Sequence, residues 1–313
     1  MAATGMIVID AHVHLWEKQN GFANGLPVNG TGNGKSIFMG EERQMMPPYM
    51  EDNRNTAERL LANMDYAGVN ACAVTQEYLD GNQDEYLLKV RAMYPDRFRI
   101  TALYEDEGFI SDMGTGTEAS AAQEKGRCAL EGADGVKICA GRLRDKDLRH
   151  HIDVFRKAEK AGKYISIDLV DGDGQTDFLQ SVIDECPGLK IAIGHFGMVT
   201  TEGWQKQIAL AKNKNVYIES GGLTWLFHRE FYPYPSAIDA ILEARDICGM
   251  EKLMWGSDYP RTMTDITYKS AVRFILESGK LSDSEKRLFM GENAVGFYGF
   301  KGLEPLTEIP NML

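Results

Sequence analysis

Four residues invite a chemical reading first: His12 and His14 in Ile9-Asp10-Ala11-His12-Val13-His14, His195 in Ile193-Gly194-His195-Phe196-Gly197, and Asp258 in Trp255-Gly256-Ser257-Asp258-Tyr259-Pro260. In an extended chain, residues i and i+2 face the same side, so the imidazoles of His12 and His14 share one space. Two such rings grip a divalent cation or hydrogen-bond an anionic intermediate. A carboxylate such as Asp258 ligates a metal or takes a proton from water as a general base. Each motif also has a plainer reading: a pair of surface histidines, a core histidine bonded to a neighbouring loop, and a turn aspartate before Pro260.

The elements that place these residues come from an alternation of short apolar, β-branched runs with longer stretches of helical period. Strands are expected over residues 6–10, 71–75, 100–104, 135–139, 164–169, 190–194, 216–219 and 253–256. Helices are expected over 56–67, 83–93, 118–130, 149–161, 177–185, 203–212, 236–248 and 266–277. Gly68 and Gly162 stand where helix C-termini need a positive φ, and Pro95 and Pro187 end other helices. The strands read as continuously apolar, as when both faces are covered. Right-handed βαβ units repeated eight times close into an α/β fold, the (β/α)8 TIM barrel. The runner-up, an open doubly wound sheet, lacks its Gly-rich dinucleotide fingerprint. In a barrel the active site lies at the C-terminal strand ends, and all four residues fall there, on strands one, six and eight.

The chain is read as a single barrel domain over residues 1–313, with two irregular loops. Residues 17–55, rich in Gly, Asn, Met and Pro, follow strand one, and a loop this long inside a compact domain is expected to be a lid over the site. Residues 221–235 (GGLTWLFHREFYPYP) follow strand seven with a dense aromatic cluster. A helical segment over 282–290 and the tail to 313 form a C-terminal extension that packs outside the barrel or reaches a partner, leaving room for a homo-oligomer.

The net charge of −12 disfavours nucleic-acid binding, which needs a basic footprint. No apolar run reaches the roughly 18 residues of a membrane span, and the first residues lack the pattern of a signal peptide. The five cysteines (Cys72, Cys128, Cys139, Cys186 and Cys248) are odd in number and scattered, with no CxxC. They give no disulfide framework, which fits a reducing, cytoplasmic location.

Taken together, VIDAHVHLW, GHFG and WGSDYP resemble the hallmarks of the amidohydrolase-2 family of TIM-barrel metal-dependent hydrolases. The resemblance extends over nearly the whole chain through LLANMDYAGVNACAV, YPDRF and LFMGENAVGFYGF. Within the family the chain is most similar to the lactonase branch, which includes fuconolactonase-like and pyrone-dicarboxylate lactonase-like enzymes. Decarboxylase and hydratase relatives place a metal-binding His on strand five, whereas this chain has Asp168-Leu169 there. The resemblance implies a site that holds one divalent ion, zinc or manganese, and no organic cofactor. Its ligands would be His12, His14 and Asp258, with Asp168 and His195 as further candidates.

The implied reaction is opening of a lactone of a sugar acid or aromatic-breakdown acid, with Asp258 as general base and His12, His14 and His195 polarising the carbonyl. The alternatives are metal-dependent decarboxylation of an aromatic or unsaturated acid, and a non-catalytic barrel that binds a small molecule. Arg142, Arg144 and Arg261 follow strands four and eight and suit a carboxylate-bearing substrate. Trp225, His228 and Tyr232 offer a stacking wall. Lys137, ending strand four, reads as an ion-pair or substrate-contact residue rather than a carbamylated metal bridge. Glu219 points either into the barrel mouth or against the Gly221-Gly222 turn.

Overall fold

The computed structural model describes residues 5–107, 126–306 and 309. Eight parallel strands follow one another around a barrel: β1 (Ile9–His14), β2 (Ala71–Thr75), β3 (Phe98–Leu103), β4 (Gly135–Ile138), β5 (Tyr164–Ile167), β6 (Ile191–Ile193), β7 (Val216–Glu219) and β8 (Leu253–Met254). The ring closes just past β8. Ala11 N–H donates to Trp255 O (2.9 Å), His14 N–H to Tyr259 O (2.8 Å), and Asp258 N–H to His12 O (2.9 Å).

Helices Ala57–Ala67, Asp84–Met93, Ile152–Lys160, Thr176–Glu185, Trp204–Ala209, Pro235–Cys248 and Tyr268–Leu276 cover the outside. Gly68 and Gly162 take φ of 78° and 65°, the left-handed conformation expected at those helix ends. Most of the helix expected over 118–130 lies outside the described residues. Within them, Gly126–Arg127 is instead a short strand antiparallel to Glu105–Asp106.

The strands are not uniformly apolar. Their outward positions, such as Val136, Ile138, Ile165, Ile167, Ile191 and Ile193, are branched aliphatics packed under the helices. Their inward positions are small or polar. In β4 and β5, Val136 and Ile138 alternate with Lys137, and Ile165 and Ile167 with Ser166. The polar inward residues pair with one another or with backbone: Thr75 Oγ1 lies 3.3 Å from Ser166 Oγ, and Thr101 Oγ1 donates to Val74 O (3.1 Å).

The C-terminal extension corrects the expectation that it packs outside the barrel. Helices Asp283–Arg287 and Asn293–Tyr298 flank a π-helical turn at Leu288–Glu292. The segment crosses the N-terminal end, where a Cβ on Gly291 would meet Ile7 O at 2.0 Å. Phe297, Tyr298 and Phe300 fill the space left by Ala11, Ala71, Ala73 and Ala192, together with Tyr164 and Met254. This plug seals the floor of the barrel and leaves the C-terminal end as its entrance.

Residues 17–55 are also more ordered than a plain loop. Asn29–Gly32, Lys35–Phe38 and Glu41–Gln44 form a three-stranded antiparallel sheet, and Phe22–Ala23 pairs with Leu26–Pro27. Trp16 and Asn55 exchange backbone hydrogen bonds (2.9 and 3.0 Å) at the base of this excursion, and side chains add to them: Asn55 Nδ2 donates to His14 O (2.5 Å), and Trp16 Nε1 donates to Asn53 O (2.6 Å).

Candidate active site

Both histidines of the HxH motif lie within β1. The register of β1 against β2 shifts between Asp10 and Val13, a bulge that re-aims side chains. Ala11 therefore packs against the plug, Val13 against the outer core, and His12 and His14 face the mouth. Asp10, fully buried, clamps this geometry. It accepts hydrogen bonds from His12 N (3.1 Å), Ser257 N (2.8 Å), Ser257 Oγ (2.5 Å) and Tyr268 OH (2.7 Å), so the His pair and the loop carrying Asp258 share one anchor.

The donor atoms of the mouth converge. His12 Nε2 and His14 Nε2 are 3.1 Å apart, and Asp258 Oδ1 lies 3.1 Å from His14 Nε2 and 3.7 Å from His12 Nε2. Asp258 Oδ2 accepts from Trp225 Nε1 (2.6 Å). His12 Nδ1 is bound to Glu219 Oε1 (2.5 Å), and His195 Nδ1 to Gly221 O (2.9 Å). A carboxylate beside His12 Nδ1 and a carbonyl beside His195 Nδ1 are outer partners of the kind that orient metal-binding histidines.

Three such groups this close together could hold a cation among them. His14 Nδ1 and Asp168 Oδ1 are buried without a hydrogen-bond partner. Two groups, His12/His14/Asp258 and His12/Asp168/His195, each bring their ligand atoms within 4.8 Å of one another. Mixed imidazole and carboxylate donors of this kind suit zinc or manganese, so the residues fit a divalent ion.

Strand five supplies Asp168 at the place of the absent histidine. Its Oδ2 pairs with Lys137 Nζ (2.5 Å) and lies 3.7 Å from His195 Nε2. Lys137 has no exposed surface, and its amine is used in this ion pair.

The electrostatics follow from burial and these pairs. Burial lowers the pKa of His12 and keeps it neutral. Burial works the same way on His14 and His195, but Asp258 outweighs it at His14 and Asp168 at His195, so both are raised. Asp168 and Asp258 are held well below the usual carboxylate range. Burial opposes their charge, but Lys137 dominates at Asp168 and the His14 hydrogen bond at Asp258. Asp80, whose Oδ2 is 3.9 Å from His14 Nδ1, is pushed by burial to about 6.

These groups open onto a cavity of about 520 Å³ lined by His14, His195, Asp168 and Asp258. Gln19, Met45 and Met46 of the excursion after β1 form part of its wall. Of the residues expected at a substrate, Trp225, Arg142 and Arg261 line it. Arg261 stacks its guanidinium 4.7 Å from the Trp225 ring centre, whereas Arg142 Nε is paired with Glu77 Oε1 (2.8 Å).

Three expected contacts lie elsewhere. Arg144 is exposed past the turn, with its backbone N–H bonded to Asp106 Oδ2 (2.9 Å). Of the short helix Leu223–Leu226, Trp225 lines the cavity. Beyond it His228 Nδ1 bonds Trp225 O (2.7 Å), and Tyr232 bonds Glu277 on the outside. Glu77 and Asp80 carry no signal in the sequence, because they sit among other acidic residues after β2 with no distinguishing spacing. Glu219 reaches both of its expected neighbours, the mouth through His12 and the turn through Gly221 N.

The family model for amidohydrolases matches residues 9–300. No curated protein matches the chain. Among solved structures it is similar to a protein assigned as a 2-pyrone-4,6-dicarboxylic acid hydrolase from Acinetobacter baumannii, with citric acid bound (19% identity, TM-score 0.65, covering 94% of this chain and 100% of that one). It is also similar to a zinc-bound amidohydrolase from Burkholderia multivorans (15% identity, TM-score 0.63, 94% and 99% coverage). A third is 5-carboxyvanillate decarboxylase from Sphingomonas paucimobilis (14% identity, TM-score 0.55, 96% and 100% coverage). At these identities the likeness is one of fold. With the family model spanning the barrel from β1 through the C-terminal plug, the chain belongs to the amidohydrolase family.

Proposed function

We propose that the chain hydrolyses a lactone carrying a carboxylate, with Asp258 as general base. The observation that carries this reading is the setting of Asp258. One oxygen is fixed by Trp225 Nε1 and the other faces the His12/His14 pair at the cavity wall, with the carboxylate kept ionised at neutrality. Asp258 Oδ1 takes a proton from water as the water oxygen bonds to the lactone carbonyl carbon. His195 donates toward the developing oxyanion. The ring C–O bond then breaks, and the departing alkoxide recovers the proton from Asp258, leaving a hydroxy acid. His12, His14 and Asp258 would hold one zinc or manganese ion, with Asp168 and His195 adjoining. When bound, that ion supplies Lewis acidity at the carbonyl.

Arg261 at the rim is the anchor for the substrate carboxylate, because Arg142 already faces Glu77. The excursion over residues 17–55 serves as the lid. The use of Asp168 to hold Lys137, in place of a histidine on β5, favours hydrolysis over decarboxylation. Substituting Asp258→Asn should lower kcat by about 10²–10⁴-fold, the usual contribution of a general base, with KM within a few-fold. Turnover at the wild-type rate would remove Asp258 from this role.

A further inference from the structure

We infer that Glu219 is a positioning residue, acting through His12: it fixes the proton of His12 on Nδ1 and so aims the Nε2 lone pair into the site. The inference rests on the proposed role of His12 as a site residue. Glu219 ends β7 and its side chain is 1% exposed. Its two oxygens are both occupied by N–H groups: Oε1 lies 2.5 Å from His12 Nδ1, and Oε2 accepts from Gly221 N (2.6 Å).

The surrounding chain makes room for this pair. A Cβ on Gly194 would sit 2.7 Å from Glu219 Oε1, and closer still, 2.1 Å, to Asp168 Oδ1. One on Gly221 would sit 2.9 Å from Glu219 Oε2 and 2.9 Å from His12 Cγ. One on Gly256 would sit 2.9 Å from Glu219 Oε2 and 2.8 Å from His12 Cβ. None of these three glycines has a positive φ, so the backbone does not require them. The space does: Gly221 and Gly256, after β7 and β8, give up a side chain to seat Glu219 against His12, and Gly194, after β6, to seat Asp168 and Glu219.

Only a carboxylate satisfies both partners. A glutamine offers one acceptor and one donor where both neighbours are donors. If its oxygen stays on Gly221 N–H, its amide N–H faces His12 Nδ1 and drives the imidazole proton to Nε2. That atom is the one 3.1 Å from His14 Nε2 and 3.7 Å from Asp258 Oδ1. Outer partners of this kind are worth about 10–100-fold in metal affinity.

The test is the tautomer itself, read from long-range proton–nitrogen correlation spectra of the full-length, metal-free protein carrying isotope-labelled histidine. The His12 signals are assigned by their loss in His12→Asn. The wild type should show His12 protonated on Nδ1. Glu219→Gln should move that proton to Nε2 and weaken zinc binding, titrated directly, by about 10–100-fold. A wild-type His12 protonated on Nε2 overturns the inference, and does so even if the variant does not fold. A Glu219→Gln protein that keeps both the Nδ1 tautomer and its zinc affinity overturns it as well. Neither readout uses turnover, so a chain that opens no lactone is still decided on this point.

Discussion

The floor and the mouth of the barrel are built from the same eight strands on opposite rules. At the floor, small inward residues such as Ala71, Ala73 and Ala192 make room for aromatic rings delivered by the C-terminal segment, and the result is dry packing. At the mouth, Gly194, Gly221 and Gly256 make room for charged and polar groups delivered by the strands themselves. Small residues open space in both places, and what enters depends on which partners are within reach. Tyr298 OH needs only Ala11 O (3.2 Å). Asp168 is held ionised chiefly by Lys137, and Asp258 chiefly by its hydrogen bond to His14. The floor should therefore govern stability alone, and the mouth stability and chemistry together.

The strongest way to break this contrast is Lys137→Met, which leaves Asp168 buried without its partner. Loss of one member of a buried pair costs about 3–5 kcal/mol, so urea denaturation should show a drop of that size. kcat should fall with it, because Asp168 faces His195. Phe297→Ala at the floor should destabilise by a similar or smaller amount, about 3–5 kcal/mol. Its kcat/KM, measured well below the unfolding temperature, should stay at the wild-type value.

The mouth should also give stability its pH dependence. Asp80 and Asp10 have folded pKa values raised by burial to about 6 and about 7, against an ordinary 3.8. Between roughly pH 4 and 7 the folded chain holds protons that the unfolded chain has released, so stability declines as pH rises through that window. The raised His14 and His195 act in the same direction, losing their contribution as pH climbs past their folded values. Asp10→Asn should flatten the upper part of the decline in a series of denaturation curves. Arg261→Met should raise KM for a carboxylate-bearing substrate about ten-fold with little change in kcat. Tyr232→Phe, outside the cavity, should leave KM unchanged and stability within about 0.5 kcal/mol.

Much of this contrast was legible in the sequence, for identifiable reasons. Strand ends are marked by where an apolar run stops, and a His or Asp placed there has few other uses, so His12, His14, His195 and Asp258 stood out. Their convergence needed the barrel, since His12 and Asp258 are brought together only by closure past β8. Glu219 stayed ambiguous because both of its expected directions are correct: it reaches His12 and the Gly221 turn at once. The glycines of ESGG and WGSD are the sequence signal that the Glu219–His12 pair has to fit between strand ends. Arg142, Arg144, His228 and Tyr232 were read by type and loop alone. The ion pair with Glu77 and the outward turn after Leu226 depend on contacts between distant segments. The plug was missed because Phe297, Tyr298 and Phe300 find their partners on nearly every strand of the barrel, far away in sequence.

The central claim is that this mouth adds water to a cyclic ester. It is tested most directly by incubating the purified protein with carboxylate-bearing lactones in heavy-oxygen water and weighing the products by mass spectrometry. The account expects a ring-opened hydroxy acid, heavier by one water, with a single heavy oxygen in the new carboxylate and no carbon dioxide released. It is contradicted if every lactone is left intact while an aromatic or unsaturated acid in the same panel loses carbon dioxide.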